Sequence, residues 1–261
     1  MSKTDYLCIW KVFRMNKRQK YILIQIAILL VFLVAVVLYA SAKTNHLACK
    51  LAEGYQIRGV DVSHYQGNID WKTLAGEDIE FAFIKATEGS GHIDSKFAEN
   101  WLAANDTDLK VGAYHFFSFD SPAETQAQLY IETVGDLAGN LIPVVDIEFY
   151  GDKFSNPPDE EELVAELKTM LALLEEEYGV KPMVYTTYTF YYKYLDGEID
   201  GYPLWIRNVY FSPNLDMRGE WTFWQYTDQA VLGGYSGAEE HIDLNVFYGS
   251  LDKLDEYMIW E

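Results

Sequence analysis

Three hydrophobic patterns follow one another along this chain. Residues 21–40 (YILIQIAILLVFLVAVVLYA) form one unbroken apolar run with a single amide, Gln25. After residue 56, short β-rich runs recur at 57–62, 81–87, 110–117, 141–148, 181–187, 202–208, 221–226 and 241–246. Several are continuously apolar, as in strands covered on both faces. Between the early runs the spacing becomes helical. Phe97, Trp101 and Leu102 mark a helix over 94–104. A Ser121-Pro122-x-Glu124 start signal opens another over 121–134. The segment 158–178 is the clearest, with Leu163, Leu167, Met170, Leu171 and Leu174 on one face and Gly179 as the stop.

Strands alternating with helices imply a parallel sheet. Eight strands within about 200 residues imply a closed barrel. The stretches after strands six and seven are about a dozen residues long and rich in Gly, Asn and Pro, so they read as loops. The expected fold is therefore α/β, an irregular TIM-like (β/α) barrel with late helices missing, preceded by one N-terminal transmembrane helix.

At ~1.5 Å per residue the apolar run spans ~30 Å, the thickness of a hydrocarbon core. Lys11, Arg14, Lys17, Arg18 and Lys20 precede it, which places that flank in the cytoplasm and the rest of the chain outside. The expected organisation is a cytoplasmic tail at 1–20, a transmembrane anchor at 21–40, a stalk at 41–56 and a barrel at 57–261. The rival reading is a signal peptide cleaved at Ala40-Ser41-Ala42, which would release a secreted protein. The length of the apolar run and of its lead favours the uncleaved anchor. Cys8 and Cys49 flank the run, so they lie in different compartments and cannot pair.

Charge sharpens this picture. The chain of 261 residues has 20 Lys and Arg against 40 Asp and Glu, a net charge of −20. Residues 1–40 hold six of the basic residues and one acid, which leaves 14 against 39, or −25 (14 − 39), for the exported part. That balance argues against nucleic-acid binding. No CxxC, HExxH or Cys/His cluster is present, so no metal and no cofactor is expected. The 20 Tyr and 7 Trp supply core packing and flat surfaces on which sugars can stack.

Leu141-Ile142-Pro143-Val144-Val145-Asp146-Ile147-Glu148 carries the chemistry. A buried apolar strand ends in two carboxylates spaced i, i+2, which point to one face, roughly 7 Å apart at the backbone. They repel, and one holds its proton to higher pH. Protonating a glycosidic oxygen requires such a group. Asp61 ends strand one, Tyr114 and His115 strand three, Tyr185 strand five, Asn208 strand six, Gln225 strand seven, and Asp243 and Asn245 strand eight. In a parallel barrel these ends share one rim, where active sites form. Four carboxylates, Asp61, Asp146, Glu148 and Asp243, therefore converge. Glu148 is expected to stay protonated to higher pH, beside an Asp146 that stays ionised if it accepts hydrogen bonds. Tyr65, Tyr114, Tyr185 and Trp224 are candidate sugar platforms, with Gln225 a further substrate-binding candidate. His64 and His115 are expected to support the site rather than act in it.

The same residues resemble a known family. Gly59-Val60-Asp61-Val62-Ser63-His64-Tyr65-Gln66-Gly67 with Ile69-Asp70-Trp71, then Phe83-Ile84-Lys85-Ala86-Thr87-Glu88-Gly89, Gly112-Ala113-Tyr114-His115-Phe116, Pro143 to Glu148, Pro203-Leu204-Trp205-Ile206, Trp224-Gln225-Tyr226-Thr227 and Ile242-Asp243-Leu244-Asn245 are similar, in order, to glycoside hydrolase family 25 lysozymes. The resemblance covers about residues 55–250. It implies cleavage of the β-1,4 bond from N-acetylmuramic acid to N-acetylglucosamine in peptidoglycan strands, with Glu148 as general acid. It also implies that Asp146 assists the substrate N-acetyl group and that Asp61 and Asp243 tune the site. Arg207-Asn208 departs from the family pattern, which often has a small residue there. Two alternatives stay open: an inactive wall-binding module, and a glucosaminidase or chitin-type hydrolase.

Overall fold

The computed structural model describes residues 16–43, 45–215, 217 and 221–260. It divides into two units, 1–46 and 47–261. The first is described by α1 (Lys17–Lys43), a 27-residue helix. Its large apolar side chains are exposed along its length, Leu29 and Phe32 each at 65%. Water does not hold such a surface open, so the helix has the length and composition of a membrane span or signal anchor. Of the expected cytoplasmic tail, residues 1–15 lie outside the described residues.

The second unit is a closed barrel. Its strands are β1 (Arg58–Val62), β2 (Phe81–Glu88), β3 (Lys110–Phe116), β4 (Val144–Asp146), β5 (Met183–Thr187), β6 (Leu204–Arg207), β7 (Phe223–Ala230) and β8 (Ile242–Phe247). β1 to β7 run parallel to their barrel neighbours, and the ring closes through β8. β8 is antiparallel to both β7 and β1. This corrects the expectation of an all-parallel ring. The cause is the connection from β7 to β8. Residues 231–241 are too few for the crossover of a dozen or more residues that a parallel partner needs, so the chain turns back as a hairpin.

The three crossovers from β2 to β5 carry full helices: α2 (Phe97–Asn105), α3 (Ala123–Val134) and α4 (Glu160–Tyr178). α4 starts where Asp159 accepts the Glu162 N–H, and it stops at Gly179, which has φ +70°. After β5 only short turns of helix remain among the described residues, as the loop composition implied. Within the segment read as a stalk, His46–Ala52 is a helix whose Ala48 and Ala52 are buried in the core. The compact unit thus begins at Leu47, ten residues before the expected boundary at residue 57.

Strand alternation sorts the core into two layers. Val60, Ala82, Ile84, Val145 and Ile206 face outward to the helices. Phe81, Phe83, Val144, Met183, Trp205 and Phe223 fill the barrel. Phe83 stacks on Trp205 at 4.5 Å between centroids and meets Phe223 edge-on at 5.3 Å. Gly59 and Gly112 make room for these rings. A Cβ at Gly59 would lie 2.4 Å from Phe81, and one at Gly112 would lie 2.6 Å from Phe83.

Candidate active site

The inward parity that supplies the aromatic plug also supplies the layer above it. One step beyond Gly59 comes Asp61, beyond Phe83 comes Lys85, beyond Gly112 Tyr114, beyond Val144 Asp146, beyond Met183 Tyr185, beyond Trp205 Arg207, and beyond Phe223 Gln225. β8 runs the other way, so its first residues reach this rim. Asp243 pairs directly across from Asp61. A parallel eighth strand would have carried Asp243 to the opposite end of the barrel.

Gln225 is the hub. Its Nε2 donates to Asp61 Oδ2 at 2.8 Å and to Asp243 Oδ2 at 3.1 Å, and its Oε1 accepts from the Tyr185 hydroxyl at 2.9 Å. Asn245 Nδ2 donates to the same Asp61 oxygen at 2.7 Å, and Asn245 Oδ1 accepts from Trp205 Nε1 at 2.8 Å. The polar layer is thereby bolted to the aromatic plug. Tyr185 and Tyr114 also touch Trp205 edge-on, at 4.6 and 6.5 Å.

Burial governs the electrostatics. It pushes Asp61 up, against the hydrogen bonds from Asn245 and Gln225. It pushes Asp243 well above the carboxylate range, helped by the charge of Asp61. Both carboxyls accept from the same Gln225 amide and act on one another's affinity for protons, so they titrate as a pair. Asp146 is buried and raised well above its ordinary value, first by desolvation and next by Glu148. Its Oδ1 has no hydrogen-bond partner among the described residues. The hydrogen bonds on which an ionised Asp146 depends are missing at that oxygen, so burial favours its protonated form. Glu148 is half-buried and is raised to about 6, by burial first, against the lowering effect of Arg207. β4 ends at Asp146, so Glu148 lies just past the strand rather than on it.

Of the aromatic candidates, Tyr114 and Tyr185 line the polar layer. Tyr65 is on the rim, 52% exposed, with its ring 4.1 Å from that of His64. His64 is fixed by Asp94, which accepts from its backbone N–H at 3.0 Å and contacts its Nδ1 at 2.7 Å. Trp224 is not brought to the site. It is wholly buried in the outer layer, and its Nε1 donates to the Asn208 carbonyl at 2.8 Å. With Gln225 inward, its neighbour must face outward. His115 also faces outward, buried between Thr87 and Gln126, and burial lowers it to about 4, so it is neutral.

Lys85 and Arg207 are site residues that the sequence reading did not commit to. Lys85 is buried, bonds Glu88 at 2.7 Å and lies over the Phe116 ring. Its charge favours the ionised form of both Asp146 and Glu148. A lone cation in the run 81–87, in phase with Phe81 and Phe83, was the available signal.

A family model described as glycosyl hydrolases family 25 matches residues 60–235. The chain is 34% identical over 226 residues to the protein YegX of Escherichia coli K12, covering 84% of this chain and 80% of that protein. It is 30% identical over 219 residues to lysozyme M1 of Streptomyces globisporus, covering 76% and 70%. A family 25 glycosyl hydrolase from Bacillus anthracis superimposes with a TM-score of 0.74 at 48% identity, covering 78% of this chain and 94% of that one.

Proposed function

The chain belongs to glycosyl hydrolase family 25, and from that premise we propose a peptidoglycan muramidase that cuts the β-1,4 bond between N-acetylmuramic acid and N-acetylglucosamine. Glu148 is the general acid and Asp146 assists the substrate N-acetyl group. The observation that carries this reading is the pair itself. A carboxyl raised to about 6 acts electrostatically on a second, buried carboxyl that burial also raises and whose Oδ1 has no hydrogen-bond partner among the described residues.

The two acids titrate as a unit. When the acetamido N–H of the sugar donates to the Asp146 carboxyl, its charged form gains a hydrogen bond, and the shared proton moves to Glu148. Glu148 then protonates the glycosidic oxygen as the carbon–oxygen bond breaks. The acetamido carbonyl oxygen attacks the anomeric carbon, giving an oxazolinium ion whose positive charge faces Asp146. Glu148, now ionised, takes a proton from the water that reopens this ring, and the product retains its configuration. Asp61, Asp243, Gln225 and Tyr185 keep the floor of the site rigid, while Tyr65 and Tyr114 offer faces to the sugar.

Residues 21–40 act as an uncleaved anchor that leaves the barrel on the outer side of the cell membrane. The apolar exposed α1 and the basic residues before it support that orientation. The deciding experiment is mass spectrometry of the ends released from purified peptidoglycan, with the first-formed anomer read by NMR. Muramic acid reducing ends released as the β-anomer are expected. Glucosamine ends would assign the other bond, an α-anomer would refute the retaining route, and no release would leave only wall binding.

A further inference from the structure

Among the described residues, Lys85 and Arg207 are the cations that act on Asp61, Asp146, Glu148 and Asp243, and they are not equivalent. Lys85 is buried and committed to Glu88. Arg207 is the last residue of β6 and follows Trp205 with inward parity. It pairs across to Gln225 of β7 and interacts electrostatically with Tyr185, Glu148 and Asp243. One of its terminal nitrogens, Nη2, bonds Asp228 Oδ2. The rest of the fork has no acceptor among the described residues, and 31% of the side chain is exposed. A guanidinium presents five N–H donors in a plane and pairs with a carboxylate through two of them at once. One edge is thus braced by the protein, and the part-exposed side chain lies within electrostatic reach of Tyr185, Glu148 and Asp243.

Muramic acid differs from glucosamine by its lactyl ether, which ends in a carboxylate when no peptide is attached and in a neutral amide when one is. We propose that the open edge of Arg207 recognises a carboxylate carried by the glycan beside the scissile bond, that of an unsubstituted lactyl group. Arg207 is then a specificity-determining residue, and the chain prefers strands from which an amide-cleaving reaction has already removed the peptide stem. This inference rests on the muramidase reading for the identity of the sugar, though the contact itself is a binding event that does not require turnover.

The test uses the full-length chain in mild detergent with Glu148→Gln to silence hydrolysis. Calorimetry compares three soluble glycan fragments: stem-free with free lactyl carboxylates, the same fragments after amidation of those carboxylates, and stem-bearing fragments. The stem-free acid should bind about tenfold more tightly than its amidated form, the scale of one charge-assisted bidentate contact at a part-exposed site. Adding Arg207→Gln should abolish that ratio, and Arg207→Lys should keep part of it. Circular dichroism checks that each variant is folded. Equal binding of the acid and its amide overturns the proposal. So does a ratio that survives Arg207→Gln, or tighter binding of the stem-bearing fragments that vanishes with Arg207→Gln, which would assign the cation to a stem carboxylate instead. Failure of the muramidase reading shows separately, as no hydrolysis of any fragment by the unmutated chain.

Discussion

Replacing Glu148 by Gln removes the proposed proton donor, and it also removes a charge that the fold holds against its preference. The carboxyl moves from an ordinary value of 4.5 to about 6 in the folded protein, chiefly by burial. Below pH 4.5 both folded and unfolded chains keep the proton, and the contribution to stability is fully present. Between 4.5 and 6 the unfolded chain ionises first, so stability falls as the pH rises. Above 6 the whole penalty applies. At about 1.4 kcal/mol per pKa unit it amounts to about 2 kcal/mol. Gln keeps the shape and cannot ionise. Urea unfolding of the full-length chain should therefore show Glu148→Gln more stable than the parent by about 2 kcal/mol at pH 7.5 and equal to it near pH 4. In a unit of this size that corresponds to a melting shift of about 4–8 °C at the higher pH. The same variant should lose about 10²–10⁴-fold in clearing of peptidoglycan suspensions. A variant that is inactive yet no more stable at pH 7.5 than at pH 4, relative to the parent, would refute burial as the force that keeps Glu148 protonated.

Because the acid must carry its proton, kcat/KM should fall about tenfold per pH unit above about 6. Arg207→Gln should move that limb to higher pH, since Arg207 opposes protonation of Glu148; an unmoved limb would show that Arg207 does not sense Glu148. Gln225→Leu strips Asp61, Asp243 and Tyr185 of a common partner and should cost about 3 kcal/mol in chemical unfolding; parental stability would show that the hub is dispensable. Gly59→Ala places a methyl 2.4 Å from the Phe81 ring and carbonyl and should lower the melting temperature by the equivalent of about 1–3 kcal/mol; an unchanged melt would mean that the aromatic plug yields freely.

Much of the site was legible because its chemistry sits at strand ends that local pattern can find. Asp61, Asp146, Glu148 and Gln225 were placed by where apolar runs stop, and Asp243 by its run; all but Glu148 lie on the strands named. Tyr114 and Tyr185 were placed on the correct face. Trp224 was not, because alternation tells which residues share a face but not which face looks inward. That choice is made when β7 docks between β6 and β8. Lys85 and Arg207 passed unassigned for a related reason. A cation within an apolar run becomes a site residue only when the opposite wall supplies carboxylates.

The sequence by itself determined the kind of molecule this is: an apolar helix long enough for a bilayer, a ring of short strands, and an acid pair at the end of the fourth of them. Those are local properties, set by composition, period and turn residues. Tertiary structure decided what the acids can do. Reversal of β8 brought Asp243 opposite Asp61, and only a closed barrel buries them deeply enough to hold protons at unusual pH. Desolvation depends on what every other strand places around a group, and no window of sequence contains that sum.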